Sequence, residues 1–186
     1  MRIENPDNLP YFVMEAGQRV PVQFKTLETE DEQRITDSWE GSVYFDLWQY
    51  DARQADMHQT TRKLMMADGI DGSILGLLRM GSNISPLADA VKLNTQSVLE
   101  TAPRSQYQRT GREFSGVGKV LIARLIAESI LRGRNGALLV TPRPQSIPFY
   151  QHLGFRQVRR NSRKFGIRAE QGNVLLTSVL LWRQEQ

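Results

Sequence analysis

One long apolar stretch, residues 117–132 (V-G-K-V-L-I-A-R-L-I-A-E-S-I-L-R), constrains this chain more than any other feature. Leu121, Leu125 and Ser129 recur at the spacing of one helical face, which predicts an amphipathic helix that packs on a sheet. Arginines suit the last turn of such a helix, and a glycine follows them, so the helix is predicted to end there.

The segment that precedes this helix, E-F-S-G-V-G-K at 113–119, is a candidate seat for phosphate. Glycine permits positive φ and leaves no Cβ in the way of a ligand. The first-turn N–H groups lack intrahelical partners and stand at the positive end of the helix dipole, where Lys119 adds charge. A tight turn without a ligand is the alternative. The segment is neither a Walker loop nor a Rossmann fingerprint, because the Gly-Lys-Ser/Thr ending and the third glycine are absent.

The other elements are shorter. The first twenty residues are predicted to be irregular, and residues 81–90 and 104–112 are predicted loops. Helices are predicted at 28–40, capped by Thr26 or Thr29, and at 146–153. Strands are predicted at 20–26, 59–68, 73–80, 96–102, 137–141, 155–160, 162–169 and 174–182, with a hairpin turn at 69–72.

The order of these elements predicts the fold class. Strand, helix and strand follow one another from residue 96, which implies a locally parallel pair, whereas the last strands imply antiparallel neighbours. The class is α/β (α+β) with a mixed sheet. A length of 186 residues suits one domain.

Composition excludes several function classes. With 0 cysteines there is no disulfide, thiolate nucleophile or cysteine-ligated metal. The net charge of +4 fits an ordinary basic surface or attraction for an anionic ligand. Arginines are scattered without interleaved aromatics, so no nucleic-acid partner is expected. The N-terminus lacks a signal-peptide core and no stretch reaches the ~20 apolar residues of a membrane span, so we expect a cytoplasmic protein without membrane contact.

Few side chains are candidates for chemistry. His58 and His152 are the only histidines, and two isolated histidines are poor metal ligands, so no metal is expected. Ser115 lacks a nucleophile-elbow pattern, which argues against a hydrolase triad. Glu100 lies in an otherwise apolar strand at the expected centre of the sheet, where a carboxylate must be solvated, paired or functional. It is a candidate general base acting through water, with a surface or ion-paired residue as the alternative.

Residues 97–155 resemble motifs A and B of the GNAT superfamily of acyl-CoA-dependent N-acyltransferases. The shared pattern is a strand, Gln/Arg-x-x-Gly-x-Gly/Ala, a long helix, a strand, and a tyrosine-containing short helix that ends in Gly-Phe. This chain supplies V-L-E-T-A-P at 98–103, E-F-S-G-V-G at 113–118, A-L-L-V-T at 137–141 and I-P-F-Y-Q-H-L-G-F at 147–155. The pair at 67–80 resembles the family's central hairpin. Glu113 departs from the usual Gln/Arg, and the adjacent Arg112 is a substitute.

The resemblance implies a fold. It is a mixed, mostly antiparallel central sheet, splayed at a V between two parallel strands and flanked by helices. It also implies a single domain over 1–186, with a cofactor-binding core at approximately 96–155 and an acceptor side at approximately 20–95.

The resemblance also implies an activity, the transfer of an acetyl group from acetyl-CoA (coenzyme A) to a primary amine in a ternary complex. Tyr150 matches the family's frequent general acid, with a packing aromatic as the alternative, and Glu100 is the matching base candidate. Phe149 and Phe155 are expected in the core. Pantetheine is expected to pair with the edge of the strand near residues 99–102. The implied cofactor-binding residues are Leu99, Thr101, Ala102, Arg112, Phe114, Ser115, Gly116, Val117, Gly118 and Lys119.

The acceptor side is less defined. Residues 39–50 and 82–90 are expected to build it, and Asp46, Asp51 and Asp56 either attract a cationic amine or line a solvated helix face. The acceptor is a small molecule or a protein, and a homodimer is allowed. A non-catalytic acyl-CoA-binding or interaction module with the same fold is the alternative that Glu113 keeps open. A phosphate-binding domain of another fold is disfavoured by the segment 149–155.

Overall fold

The computed structural model describes residues 3–26, 28–39, 61–68, 72–81, 84–85, 93–94, 98–102, 105 and 113–181. The chain divides into two compact units. One comprises Pro10–Ser82 with Val98–Leu121, and the other comprises Met1–Leu9, Asn83–Ser97 and Ile122–Gln186. In the described ranges, no helix combines the length and the apolar character that a bilayer crossing requires.

Eleven strands and four α-helices lie in the described ranges, with 3-10 turns at Pro6–Asn8 and Pro144–Ser146. The helices are α1 (Thr29–Ser38), α2 (Val117–Leu131), α3 (Ile147–His152) and α4 (Ala169–Leu180). The strands are β1 (Tyr11–Glu15), β2 (Gln18–Thr26), β3 (Thr61–Asp68), β4 (Ile74–Gly81), β5 (Ile84–Ser85), β6 (Leu93–Asn94), β7 (Val98–Thr101), β8 (Phe114–Ser115), β9 (Leu138–Val140), β10 (Arg156–Gln157) and β11 (Phe165–Ile167).

A six-stranded antiparallel sheet organises the first unit, in the order β7-β4-β3-β2-β1-β8. The predicted hairpin of β3 and β4 is confirmed, and most of its turn lies outside the described residues. The predicted helix at 28–40 is confirmed as α1. Its cap is neither Thr26 nor Thr29, because Glu28 precedes the first turn and donates its N–H to Asp31 at 3.3 Å.

The prediction that the first twenty residues are irregular is wrong for residues 11–20. They form β1 and the start of β2, joined by a turn in which Ala16 and Gly17 have φ of 47° and 84°. Two consecutive positive φ values match the twist of a two-residue hairpin. Tyr11 and Val13 are buried and pair with valines of β2. The segment therefore has the alternation of buried and more exposed residues that is typical of a strand, although Pro10 and Gly17 favour a loop.

The predicted helix at 117–132 is confirmed as α2, but it is not amphipathic. Every residue from 120 to 129 is buried, including Arg124 and Glu128. A helix that is buried all round must neutralise the charges it carries.

The charges on α2 are neutralised within the second unit. The Arg124 side chain is 0% exposed, and its Nε and Nη2 lie 3.0 and 2.8 Å from Asp7 Oδ1. Its Nη1 donates to Glu128 at 2.9 Å, and Arg132 Nε donates to the same carboxylate at 2.8 Å. Burial alone raises the pKa of Glu128, but the hydrogen bonds from Arg124 and Arg132 hold that pKa below its usual value. The network therefore ties the Pro6–Asn8 turn to α2.

The second unit contains the predicted antiparallel C-terminal strands, in the order β10-β11-β9. β5 and β6 form a separate antiparallel pair, and β5 lies within the predicted loop at 81–90. In the described ranges β7 pairs with β4 and β9 with β11, and no parallel ladder is found, so the parallel orientation of β7 and β9 stays a prediction. The class is confirmed as α/β with antiparallel sheets flanked by helices.

The predicted strand at 174–182 is wrong, because the chain there is the helix α4. Gly172, Leu176 and Val179 are buried at helical spacing. The apolar run V-L-L-T-S-V-L-L does not show this spacing, because apolar residues also occupy the positions between the buried ones. A Cβ at Gly172 would collide with the carbonyl of Gly136, so the helix docks against bare backbone. Asn173 Nδ2 adds hydrogen bonds of 2.8 Å to Asn135 O and Ala169 O.

Removing the charge of Asp7 tests the network on α2. We expect Asp7→Asn to lower the free energy of unfolding by about 2 kcal/mol, because Arg124 stays buried while it loses a charged partner. Urea unfolding measures this loss. Asp37→Asn, an exposed residue of α1, is the matched control and should change stability by less than about 0.5 kcal/mol.

Acid titration adds a second arm to the same test. Because the pKa of Glu128 is depressed, its contribution is complete above the ordinary glutamate pKa of about 4.3 and is lost as the pH falls through the lower folded-state pKa. Equal losses for Asp7→Asn and Asp37→Asn would contradict the account of the network.

Candidate cofactor site

The start of α2 has the geometry that a phosphate seat requires. Gly116 has a φ of 84°, and its carbonyl accepts the first helical hydrogen bond, from Val120 N at 2.9 Å. A side-chain-bearing residue rarely adopts this conformation, so glycine is required for the chain to turn into the helix here. The amides at 117–119 therefore precede the first i→i−4 bond and lie at the positive end of the helix dipole.

The residues before Gly116 hold this turn in place. β8 pairs with β1 through Met14↔Ser115 and Glu15↔Phe114, and the Phe114 side chain is buried. The predicted loop head is thus an edge strand of the sheet. Glu113 just before it is exposed. Arg112, the predicted substitute, lies outside the described residues.

β7, the strand predicted to pair with pantetheine, ends the six-stranded sheet instead of occupying its centre. The expectation of a central position for Glu100 is therefore wrong, because strand order depends on long-range pairing that the local pattern does not encode. Ala102 donates its N–H to Leu75 O and accepts from Ser105 N, both at 2.8 Å. Main-chain groups alternate in direction along an antiparallel strand, so those of Leu99 and Thr101 are directed away from β4.

Gly76 on β4 is a close-packing position next to β7 and α2 that sequence reasoning missed. A Cβ there would lie 3.0 Å from Leu121 Cδ1 and 3.3 Å from Glu100 O. The second turn of α2 and the backbone of β7 both approach β4 at this point, within one unit. The available signal was a glycine inside a strand pattern, which often marks close approach of another backbone.

Glu100 is buried, with 6% of its surface exposed. It pairs with Leu77 across the strands, and it lies two residues before Ala102 on its own strand. The three side chains therefore share one face of the sheet. Leu77 and Ala102 pack there with Ile35 and Trp39 of the α1 segment. The Glu100 side chain is therefore buried, and the surface-facing residue of the alternative interpretation is excluded.

Tyr150 belongs to the second unit, on α3, which confirms the short helix predicted at 146–153. It is 8% exposed, and its ring meets Phe149 and Phe155 edge-on, with centroids 5.2 and 5.3 Å apart. Burial raises the pKa of Tyr150 to about 12. The phenol consequently keeps its proton at neutral pH. Phe155 is buried as expected, Phe149 is half-buried, and His152 is exposed.

Most of the predicted acceptor side lies outside the described residues, namely Asp46, Asp51, Asp56, 40–50 and most of 82–90. His58, one of the two histidines, also lies outside them. Of the segment 39–50, only Trp39 is described, and it is buried at the end of α1. The described residues contain no group of three or more His, Asp or Glu placed to hold a metal ion.

Solved structures share this architecture, whereas no protein-family model and no curated protein sequence matches the chain. A tyrosine-to-phenylalanine variant of the AtaT toxin, bound to the antitoxin AtaR C-terminus and acetyl-CoA, has a TM-score of 0.56 at 20% identity, over 84% of this chain and 98% of that one. Variants of the spermidine/spermine N-acetyltransferase SpeG from Vibrio cholerae give 0.54 at 13% identity, over 82% and 98%. A protein described as a GNAT-family acetyltransferase from Desulfovibrio desulfuricans gives 0.54 at 16% identity, over 80% and 99%. The chain therefore has the fold of the GNAT acetyltransferases.

Substituting the two glycines at the start of α2 separates binding from folding. Gly118 lies inside the helix without a positive φ, so Gly118→Ala should raise helix stability by up to about 1 kcal/mol. If a diphosphate approaches this backbone, the added methyl should weaken coenzyme A binding by at least about tenfold, which is roughly 1.4 kcal/mol. Calorimetric titration gives the affinity, and urea unfolding gives the stability.

Positive-φ glycines provide the control. Gly116→Ala and Gly17→Ala both force alanine into the left-handed region, at a cost of about 1–2 kcal/mol in stability. Only the first should weaken coenzyme A binding. Unchanged affinity in Gly118→Ala would remove the first turn of α2 from the site.

Proposed function

We propose that this chain is an N-acetyltransferase that moves an acetyl group from acetyl-CoA to a primary amine by direct attack in a ternary complex. The observation that carries the proposal is Gly116, whose positive φ opens α2 in a chain with the GNAT fold. The similar AtaT structure contains acetyl-CoA, which supports the choice of cofactor. SpeG, of the same fold, is a polyamine acetyltransferase by name, which supports an amine acceptor.

Cofactor binding is proposed to rest on main-chain groups. The amides at 117–119 hold the diphosphate, and Lys119, partly exposed in the same turn, adds charge. Pantetheine is proposed to pair with the edge of β7 near residues 99–102, and Phe114, Ser115 and Gly116 shape the approach. Fixing the thioester in this way makes attack by a bound amine a local event. An N–H of the same strand is proposed to face the thioester oxygen as it becomes an oxyanion.

Glu100 is proposed to remove the proton that the attacking ammonium must lose. This buried carboxylate is proposed to anchor one water molecule or the ammonium itself. The amine nitrogen then attacks the thioester carbon to form a tetrahedral intermediate, and this nitrogen loses its second proton to solvent. The carbon–sulfur bond breaks to release the thiolate. General base catalysis of this kind typically contributes about 10²–10⁴ in rate.

Tyr150 is proposed to stabilise the departing sulfur. Its pKa of about 12 keeps the phenol protonated throughout the working pH range. A cysteine thiol has an ordinary pKa of about 8.5, so full proton transfer from this phenol to a comparable thiolate is uphill. The phenol therefore acts chiefly as a hydrogen-bond donor during bond breaking, and solvent supplies the final proton.

A second candidate function is binding of acyl-CoA without catalysis, in a sensing or interaction module. Glu113, where the family pattern has Gln or Arg, favours it, because a carboxylate near a diphosphate weakens cofactor binding. The side chain of Glu113 is exposed, so water screens its charge and weakens this argument against catalysis. The two functions differ in one measurable way, because only the enzyme releases thiol from acetyl-CoA when an amine is present.

An assay of thiol release with a library of amines, including polyamines and peptides, tests the enzyme. Tyr150→Phe should lower kcat by about 10²-fold, because the departing sulfur loses its donor, while coenzyme A affinity changes by less than about threefold. Phe149→Leu, beside it on α3, controls for packing and should keep most of the activity. For the unmodified enzyme, the rate should not fall on the alkaline side through loss of this proton below about pH 11, one unit under its pKa of about 12.

The same preparation is tested for stabilisation by cofactor. Acetyl-CoA at about 100 times its dissociation constant should stabilise the fold by about 2.7 kcal/mol. Stabilisation without thiol release across the library would support the binding module. No stabilisation by coenzyme A or acetyl-CoA would overturn both functions, and an unchanged kcat in Tyr150→Phe would remove that residue from the mechanism.

A further inference from the structure

The basic residues of this chain are concentrated in one segment. Residues 129–169 contain nine of the 24 Lys and Arg and none of the 20 Asp and Glu. The rest of the chain then carries 15 basic and 20 acidic side chains, a net charge of −5, so the modest total of +4 hides a strong asymmetry. Such asymmetry is typical of a surface that meets a polyanion.

Pairing of β10 with β11 gathers six of these cations on one hairpin, here called the arginine hairpin and defined as residues 156–168. All six side chains are exposed, and none forms an ion pair with a carboxylate in the described part of the chain. They are Arg156, Arg159, Arg160, Arg163, Lys164 and Arg168. In sequence they are interrupted by other residues, which is why they had looked scattered.

The turn of the arginine hairpin is held by its own hydrogen bonds. Val158 N donates to Lys164 O at 3.0 Å, and Ser162 N donates to Arg159 O at 2.9 Å. Ser162 Oγ accepts from Lys164 N at 3.0 Å, and Ser162 O accepts from Gln157 Nε2 at 2.6 Å. An ordered backbone carries the cations, so binding does not have to order the loop first.

The side chains of the hairpin favour a phosphodiester backbone in a double helix. Five of the six cations are arginines, whose planar guanidinium pairs with phosphate through two hydrogen bonds. The aromatic rings Phe155 and Phe165 are buried, which leaves no stacking platform for single-stranded bases. Val158, 50% exposed, is the one large apolar side chain exposed within residues 156–168, which is too little for membrane insertion or for the apolar centre of a protein interface.

We propose that the arginine hairpin binds the phosphodiester backbone of double-helical nucleic acid. β10 is an edge strand of the sheet β10-β11-β9, and a duplex carries closely spaced phosphates along both strands, so the exposed cations of the hairpin can each meet a phosphate. The contact is with backbone, so it is not specific for base sequence. The proposal replaces the expectation that no nucleic acid is bound, and it does not depend on acetyl transfer.

Fluorescence anisotropy with labelled DNA and RNA duplexes of about 20 base pairs, from about 50 to 200 mM salt, tests the proposal. Arg160→Gln/Arg163→Gln should weaken duplex binding at least about tenfold near 100 mM salt. It should also reduce the log–log salt slope by about 2, since each phosphate contact contributes about 0.9. Arg19→Gln/Lys25→Gln removes the same charge from exposed positions on β2 and should weaken binding less than about threefold.

A charge-conserving pair keeps the test independent of folding. Arg160→Lys/Arg163→Lys should keep the salt slope within about 0.5 of the unmodified chain. A preference for the DNA duplex or for the RNA duplex shows which nucleic acid supplies the phosphodiester backbone, and either preference supports the proposal. Equal losses in the two glutamine pairs, loss of the slope in the lysine pair, or no duplex binding near 50 mM salt would overturn it. So would equal affinity for a single strand, polyglutamate or vesicles of phosphatidylglycerol.

Discussion

The candidate site depends on one backbone conformation, the left-handed turn at Gly116. On one side of it β8 is paired with β1, and on the other side α2 begins. A residue with a side chain would pay about 1–2 kcal/mol to adopt the same φ. Because the turn is sharp, the strand ends and the helix starts within two residues, so the first-turn amides are held by the sheet. Gly76 completes the arrangement by admitting the second turn of α2 and the backbone of β7 close to β4.

Burial of α2 has a second consequence. A helix that is covered on all sides is held rigidly, but its two charged side chains in the buried stretch must find partners. Arg124 meets Asp7 and Glu128, and Arg132 joins them near the end of the helix. The carboxylates of Asp7 and Glu128 are thus both paired with arginines of α2 and its C-terminal end. Beyond Glu128 the chain contains no further acid until Glu170, which leaves the arginine hairpin without carboxylates of its own.

The parts of the fold that sequence predicted are those with strong local signals. The β3–β4 hairpin, α1, α2, β9 and α3 were found because periodicity and turn residues agree in them. β1 was missed because Pro10 and Gly17 border it. The prediction of a strand at 174–182 was wrong because a continuous apolar run fits a strand as well as a helix. The contact of Gly172 with Gly136 involves a residue distant in sequence, so no local pattern indicates it.

The candidate site was predicted in outline for the same reason. Gly116 could be recognised from the sequence because it directly precedes a predicted helix. The close packing at Gly76 and the edge position of β7 depend on strand order, which no local pattern specifies. The burial of Glu100 follows from its pairing with Leu77. The arginine hairpin follows from pairing too, since antiparallel strands bring together cations that are separated along the chain.

Amide chemical shifts of ¹⁵N-labelled protein, followed during titration with coenzyme A, test the central claim most directly. The account predicts that the largest changes fall on the amides of Val117, Gly118 and Lys119, and that acetyl-pantetheine, which lacks the diphosphate, leaves them unmoved. Largest changes elsewhere, for example within the arginine hairpin, with these three amides unchanged at saturation, would contradict it.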